Sequence, residues 1–356
     1  MRWQVVIKEL SANKIAAIRL LNQQLASPMF DDACDVVDWF GMMQAQQYQM
    51  MRWAVAMRTR KPKIDSFKTA FDQGRIIRTH LFRCTWQLVS DRDLHWQLSL
   101  CADRNRQAIK GYLAYHGKSM SERNYEHFNM IVTDILKGQS SLGKDELCLR
   151  LADSGIDTSD AHTLSIYIRR AEIDGVICSG HLDNKQNTYA LIEERVGNHD
   201  RICKDEALAM LARKYFRSHS PATFADFVWW TNLPVSDCRA GVEAIQHELQ
   251  EIHCDGQSYF IHTDCRLAGF RNRPILLPSY DEYLIGYKSR QIAIDKEHCP
   301  KAYTNNGLFF PVVVNNGKIV GRWHQKTLRP AFFKQEFATD TTSAINRYDK
   351  FLKSCM

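Results

Sequence analysis

The feature that most constrains the fold of this chain is a run of three helices followed by a hairpin, which occurs more than once. In the clearest copy, apolar residues at helical spacing begin near Tyr125, and two further helices lead to short strands at 176–178 and 189–192. The same order begins again near residue 204 and reaches a hairpin near residue 252, so corresponding parts recur after about 75 to 79 residues. The sequence therefore predicts an internal structural repeat.

The order of these elements is that of a winged helix. Asp160 is placed to cap the third helix of the clearest copy, and Thr223 with Asp226 gives a capping box to the second helix of the next. The third helix of the clearest copy also exposes Arg169 and Arg170, where a recognition helix would carry cations. This pattern favours tandem winged helices that bind a polyanion.

A looser copy opens the chain, and a β-rich segment closes it. The looser copy has helices and strands at 15–25, 36–40, 64–71, 76–80 and 84–89, with a helical connector at 90–120. From Pro274 onward, two Asn-Gly turns separate alternating apolar runs, which predicts a small antiparallel sheet or barrel before a final helix.

The predicted fold class is α+β, with tandem winged-helix units and a C-terminal β-barrel or sheet. We predict four domains, in chain order: a first winged helix with its connector at 1–120, a second winged helix at 121–200, a third at 201–270, and a β-rich domain with a terminal helix at 271–356.

The composition is that of an ordinary globular protein. The 356 residues are 45% hydrophobic and 24% charged, which excludes disordered, collagen-like and coiled-coil classes. The 47 Lys and Arg against 40 Asp and Glu give a formal net charge of +7. This mild basic bias permits a nucleic-acid partner without requiring one.

Cysteine usage and apolar runs indicate the compartment. The 11 cysteines form no C-x-x-C pair, so zinc ribbons and dithiol redox motifs find no support. The first residues contain no apolar signal segment, and the longest apolar run, 308–314, is far shorter than a membrane span. We expect a cytoplasmic protein with reduced thiols that needs no membrane, metal or cofactor.

Basic residues near the first repeat are candidates for phosphate contacts. Residues 58–63 carry four cations in six positions, which in isolation is typical of a solvated loop. Beside a winged helix, the same run favours contact with the DNA backbone. The candidate DNA-binding residues are Arg52, Arg58, Arg60, Lys61, Lys63, Arg78, Arg83, Arg169 and Arg170, with surface salt bridges as the alternative.

Four sequence blocks, in order, resemble one known family. They are residues 41–46 (GMMQAQ), 78–86 (RTHLFRCTW), 277–287 (LPSYDEYLIGY) and 316–323 (NGKIVGRW). Together they look like the winged-helix alkylpurine DNA glycosylases, over roughly residues 10 to 335. The Gln44-Ala45-Gln46 motif is similar to the Gln-apolar-Gln signature of the azinomycin-resistance branch, whereas the other branch has Gln-apolar-Asp.

The resemblance implies an enzyme that hydrolyses the N-glycosidic bond of cationic alkylated purines, including bulky N7 adducts and crosslinks. It implies that Gln44 and Gln46 are catalytic and that the partner is double-stranded DNA. We expect a monomer, since the sequence shows no heptad repeat or dimerisation arm. A purine alkylated at N7 leaves readily, so the enzyme has mainly to orient a water molecule, which an amide carbonyl can do. One departure is Gln87, at a position where histidine is common in the family, so no role is assigned to it.

The spacing of the two glutamines makes a structural prediction. On a helix, residues i and i+2 point about 200° apart, whereas in an extended or turn segment they share one side. We therefore expect the motif to follow a helix that ends near Gly41 to Met43. The alternative is that Gln44 and Gln46 simply form a polar helix end, as Gln47 and Gln49 also follow.

Other functions and other residues stay open from the sequence alone. The chain is alternatively a non-catalytic winged-helix DNA-binding protein, such as a transcriptional regulator, or a protein-interaction scaffold. Asp281 and Glu282 are adjacent, which favours a structural role over an acid–base pair. His80 and Trp86 either line a cleft or pack in the core.

Overall fold

The computed structural model describes residues 8–197 and 202–355, and the chain forms two compact units. The middle unit is Lys68–Ala207, and the split unit combines Met1–Phe67 with Leu208–Met356. Residues 1–120 are therefore divided between the two units, and the four-domain division stays a prediction. The fold is a mixture of helices and small sheets, which confirms the α+β class.

Helices form most of the regular structure, and the longest spans 25 residues. In chain order the α-helices of the described residues are α1 (Ala12–Asn22), α2 (Ala33–Phe40), α3 (Met50–Ala56), α4 (Ile64–Asp72), α5 (Asp91–Tyr115), α6 (Glu122–Leu136), α7 (Lys144–Asp153), α8 (Ala161–Ile173), α9 (Ile192–Arg195), α10 (Lys204–His219), α11 (Phe224–Thr231), α12 (Val235–Ala244), α13 (Glu282–Ile285), α14 (Cys299–Ala302) and α15 (Thr342–Ser354). Within residues 8–197 and 202–355, no helix has the length and apolar composition to cross a bilayer.

The strands are short. They are β1 (Lys8–Glu9), β2 (Met43–Gln44), β3 (Ile76–His80), β4 (Trp86–Ser90), β5 (Leu142–Gly143), β6 (Ile177–Ser179), β7 (Thr188–Leu191), β8 (Leu249–Cys254), β9 (Gln257–His262), β10 (Ile275–Leu277), β11 (Val312–Asn315), β12 (Lys318–Trp323) and β13 (Pro330–Phe332).

The middle unit contains the clearest copy of the predicted repeat. Helices α6, α7 and α8 precede the antiparallel β6–β7 hairpin, and β5 pairs with the other edge of β7. The apolar faces of the three helices meet the hairpin in one core that includes Phe128, Leu147, Leu164 and Tyr189. Asp160 caps α8 as predicted, since its carboxylate accepts the N–H groups of His162 and Thr163.

The middle unit also holds an antiparallel pair of strands, β3 and β4, in which Ile76 lies opposite Ser90 and His80 opposite Trp86. The link between them contains two non-glycine residues with positive φ, Arg83 at 61° and Cys84 at 53°. This conformation is costly for residues with a Cβ atom, so the link is a tight and strained turn.

The split unit contains the second copy. Helices α10, α11 and α12 precede the β8–β9 hairpin, and Thr223 and Asp226 form the predicted capping box at α11. The hairpin turns at Asp255 and Gly256, whose positive φ angles of 50° and 74° are those of a two-residue hairpin turn. Helix α12 ends at Ala244, and the chain then passes through a short 3₁₀ turn into β8.

The C-terminal β-rich segment differs from one prediction. Strands β10 to β13 form an antiparallel sheet in the order β10-β11-β12-β13. Among the sheets of the described residues none closes, so the barrel alternative is wrong and the sheet alternative is confirmed. Turn residues such as Asn316-Gly317 specify a hairpin locally, but closure depends on the first and last strands meeting, which no local pattern encodes.

Candidate active site

The glutamine motif lies just beyond the end of α2 and begins in the short strand β2. Helix α2 stops at Phe40, and Gly41, with φ of +78°, donates its N–H to the carbonyl of Val37 at 3.0 Å. A side chain at Gly41 would also bring Cβ within 2.9 Å of Lys214 Cδ, so glycine suits this helix end sterically. Gln44 then closes strand β2. The predicted position of the motif after a helix end is therefore confirmed.

The two glutamines differ in exposure. Gln44 is 6% exposed, and the intervening Ala45 is 1% exposed, whereas Gln46 lies in a bend with its side chain open to solvent. The motif thus has one glutamine packed into the protein and one at the surface. Its catalytic role stays a prediction at this point.

A buried carboxylate holds the backbone of the motif. The N–H of Gln44 donates to Oε1 of Glu282 at 2.6 Å, across 238 positions of sequence. The other oxygen, Oε2, accepts the indole N–H of Trp230 at 3.2 Å and lies 3.4 Å from Nε2 of His219. Glu282 is only 2% exposed. Sequence reasoning expected a structural role for this residue but did not connect it with the motif.

The histidine of this cluster, His219, has a lowered pKa. Burial lowers the pKa of His219, and the hydrogen bond and charge of Glu282 oppose that shift without cancelling it. Its ring stacks on Tyr215 with centroids 4.6 Å apart and meets the edge of Phe40 at 5.5 Å. His219 is therefore a packed neutral imidazole beside the carboxylate that holds Gln44.

The neighbouring acid, Asp281, lies at the start of α13 and binds a buried arginine, Arg58. Nη1 and Nη2 of Arg58 donate to Oδ2 and Oδ1 of Asp281 at 2.9 and 2.8 Å, and Asp281 Oδ1 also accepts the N–H of Tyr283. Arg58 donates further to the carbonyl oxygens of Gln23 and Ala54. This arginine is 0% exposed, so the expectation that it contacts DNA phosphate does not hold, because its donors are used inside the core.

Three other predicted DNA contacts are also buried. Arg52 and Arg78 are 3% and 4% exposed, and the guanidinium of Arg78 lies 4.3 Å from the ring centroid of Trp86. Arg170 pairs with Asp174 at 2.9 Å and with Glu122, which neutralises it locally. Sequence spacing shows that a segment carries cations but not whether other parts of the chain bury them. Arg52, Arg78 and Arg170 are buried in this way.

The remaining predicted cations are more accessible. Lys61 and Lys63 are exposed, and the side chain of Arg60 is 56% exposed and paired with Asp31 at 2.6 Å. Arg83 and Arg169 are partly buried in the middle unit.

His80 and Gln87, on either side of Trp86 in this sequence block, are buried and do not line an open cleft. His80 is 2% exposed, its Nδ1 pairs with the Glu172 carboxylate, and its ring centroid lies 4.5 Å from that of Trp86. Burial lowers the pKa of His80 although Glu172 raises it. Gln87, which departs from the family pattern, is buried and donates to the carbonyl of Phe82 at 3.2 Å. The core interpretation of His80 is therefore confirmed.

Comparisons with known proteins identify the family of this chain. A family model described as DNA glycosylase AlkZ-like matches residues 37–332, a range that contains both the glutamine motif and Glu282. The "Interstrand DNA cross-link repair glycosylase" of Streptomyces sahachiroi is 25% identical over 327 residues, covering 88% of this chain and 87% of that protein.

A solved structure extends the similarity to the whole fold. The Streptomyces sahachiroi DNA glycosylase AlkZ superposes with a TM-score of 0.78 at 23% identity, covering 97% of this chain and 96% of that one. At this identity the structural match supports the fold, and the family is established by the model match over most of the chain. This protein belongs to the AlkZ-like family of DNA glycosylases.

Proposed function

We propose that this glycosylase hydrolyses the N-glycosidic bond of cationic N7-alkylated purines in double-stranded DNA, and that bulky adducts and interstrand crosslinks are among its substrates. It acts as a monofunctional enzyme and a monomer, without a metal or cofactor. The observation that carries the proposal is the Gln44-Ala45-Gln46 segment, which leaves strand β2 at Gln44, bends at Gln46 and is held at Gln44 by a buried carboxylate.

The residues of the motif suit an activated leaving group. Alkylation at N7 puts a positive charge on the purine, so the glycosidic bond breaks without protonation by a strong acid. The amide carbonyls of Gln44 and Gln46 accept a hydrogen from water and orient it toward C1′, but they take no proton outright. The two-glutamine motif itself contains no carboxylate, which restricts the proposed reaction to cationic lesions.

The proposed monofunctional activity is supported by the pairing of an amine that packs beside the motif. Lys214, whose side chain packs at Gly41, donates to the carbonyl and carboxylate oxygens of Asp38 at 3.1 and 2.8 Å. An amine held in an ion pair is a poor nucleophile for C1′. We therefore expect water to be the attacking group and an intact abasic site to be the product.

DNA contacts are proposed for cations that remain accessible. They are Arg60, Lys61 and Lys63 in the split unit and Arg83 and Arg169 in the middle unit. Helix α8, which bears Arg169, is the last of the three helices that precede the β6–β7 hairpin. This is the position of a recognition helix. The winged-helix interpretation is part of this proposal.

The direct test is release of base from defined duplexes. Purified protein is incubated with a duplex containing N7-methylguanine, with a nitrogen-mustard crosslinked duplex, and with a uracil duplex as the uncharged control. We expect free alkylated purine, unhooked crosslink, strands that break only after alkali treatment, and no release of uracil. Sequence-preferring binding without base release would instead establish the DNA-binding regulator.

Two lysines provide a test of the proposed DNA surface. We expect Lys61→Ala/Lys63→Ala to weaken binding to undamaged duplex by about tenfold or more at 0.1 M salt. The slope of log K against log salt is negative and should become less negative by about 2, since two phosphate contacts are lost. Binding is measured by fluorescence anisotropy across a salt series.

The control for this pair is Lys296→Ala/Lys326→Ala. It makes the same change in net charge at two exposed lysines elsewhere in the split unit. An equal loss of affinity in both double variants would show that only net charge matters, and would remove Lys61 and Lys63 from the interface.

A further inference from the structure

Glu282 makes a contact that places it next to the proposed chemistry without being part of it. Its Oε1 accepts the N–H of Gln44, and its Oε2 accepts the indole N–H of Trp230. With 2% of its surface exposed, this carboxylate is shielded from water, which would otherwise compete for both donors. The hydrogen bond to Gln44 is therefore a fixed restraint on that residue.

Glu282 is itself rigidly placed. It is the first residue of α13, and the preceding Asp281 caps that helix while forming a two-point pair with Arg58. On the other side, the ring of His219 packs so closely on Gly286 that a Cβ there would lie 2.7 Å from it. The position of Oε1 is thus determined by several buried groups at once.

We propose that Glu282 is a positioning residue for Gln44, and this proposal rests on the proposed function above. By accepting the Gln44 N–H, the carboxylate fixes the backbone from which the side-chain carbonyl reaches the attacking water. A neutral amide provides no electrostatic attraction at a distance, so its contribution depends on direction, and a displacement of about 1 Å can cost about 100-fold in rate.

Two conservative variants separate the reach of this side chain from its charge. Glu282→Asp keeps the negative charge but withdraws the carboxylate by one methylene, whereas Glu282→Gln loses the charge but keeps a carbonyl oxygen within reach of the Gln44 N–H. In Glu282→Gln the amide N–H₂ faces the indole N–H of Trp230, which loses its acceptor, so rates are compared per folded molecule. We expect Glu282→Asp to lower the single-turnover rate of N7-methylguanine release by 10- to 100-fold. We expect Glu282→Gln to retain the rate within about threefold, with duplex affinity unchanged in both variants.

A double variant tests whether the effect passes through Gln44. In the Gln44→Ala background, Glu282→Asp should cause no further loss of rate, because the side chain that it positions is gone. The matched control is Glu248→Asp, a second carboxylate of the split unit that binds a buried histidine, His262, at 3.0 Å together with Arg213. This control should leave the rate per folded molecule at the wild-type value.

Each result decides the proposal. Activity in Glu282→Asp with loss in Glu282→Gln would show that charge, rather than position, is what matters, and would overturn it. An undiminished loss in the Gln44→Ala background would do the same. If wild-type protein releases no base, or Gln44→Ala releases base at the wild-type rate, the proposed function fails instead, so the two failures are distinguishable.

Discussion

Replacing Gln44 with alanine is expected to lower the single-turnover rate of N7-methylguanine release by 10²- to 10³-fold, a loss of about 3 to 4 kcal/mol of transition-state stabilisation. The reason is that the carbonyl that orients water is removed from a backbone that Glu282 continues to hold. Gln46→Ala should reduce the rate by 10- to 100-fold, because its side chain is exposed and positions water less tightly.

The measurement uses enzyme in excess over a labelled duplex, followed by alkaline cleavage of the abasic product. Gln49→Ala is the control, since Gln49 is an exposed glutamine three residues beyond the motif. It should release base at the wild-type rate. Duplex affinity should be unchanged in all three variants, so that the loss appears in the chemical step. Equal release by wild type, Gln44→Ala and Gln46→Ala would remove the catalytic assignment.

The largest expected effect on stability is at Arg58. Arg58→Met leaves the Asp281 carboxylate buried without its partner, and we expect this to cost about 3 to 5 kcal/mol of unfolding free energy. The double variant Arg58→Met/Asp281→Asn should be less destabilised than Arg58→Met alone. It removes both charges, while the asparagine oxygen still accepts the Tyr283 N–H that caps α13.

Denaturant midpoints followed by tryptophan fluorescence give the comparison. Arg60→Met is the matched control. Arg60 lies two positions after Arg58 and also pairs with an aspartate, Asp31, but the two side chains are 56% and 65% exposed. An exposed pair contributes roughly 0 to 1 kcal/mol, so this variant should stay close to wild type. An Arg58→Met protein as stable as the Arg60→Met protein would contradict the role of the buried pair.

Local signals in the sequence account for most of the elements. The aspartate cap of α8, the capping box of α11 and the Asp255-Gly256 turn each depend on residues within a few positions of one another. Such elements can be predicted from the sequence because the hydrogen bonds that define them form between residues only a few positions apart. The position of the glutamine motif beyond α2 was predictable for the same reason.

The hydrogen bond between the glutamine motif and Glu282 could not be predicted in this way. Gln44 and Glu282 are separated by 238 positions, and nothing in the block around Glu282 indicates which donors its oxygens receive. The cation run at 58–63 shows the complementary difficulty, since Arg58 is buried while Lys61 and Lys63 are exposed. Periodicity within a segment does not reveal which part of it a distant segment covers.

The long-range hydrogen bond to Gln44 has a consequence for synthesis on the ribosome. The glutamine motif leaves the exit tunnel early, whereas the carboxylate that holds it is translated 238 residues later. The continuous middle unit, Lys68–Ala207, is complete before the second segment of the split unit exists. A nascent chain or premature-stop product that ends before residue 282 therefore carries the whole motif in its sequence without its folded geometry. On the proposed mechanism, the capacity to remove bases from DNA arises only after residue 282 has been translated.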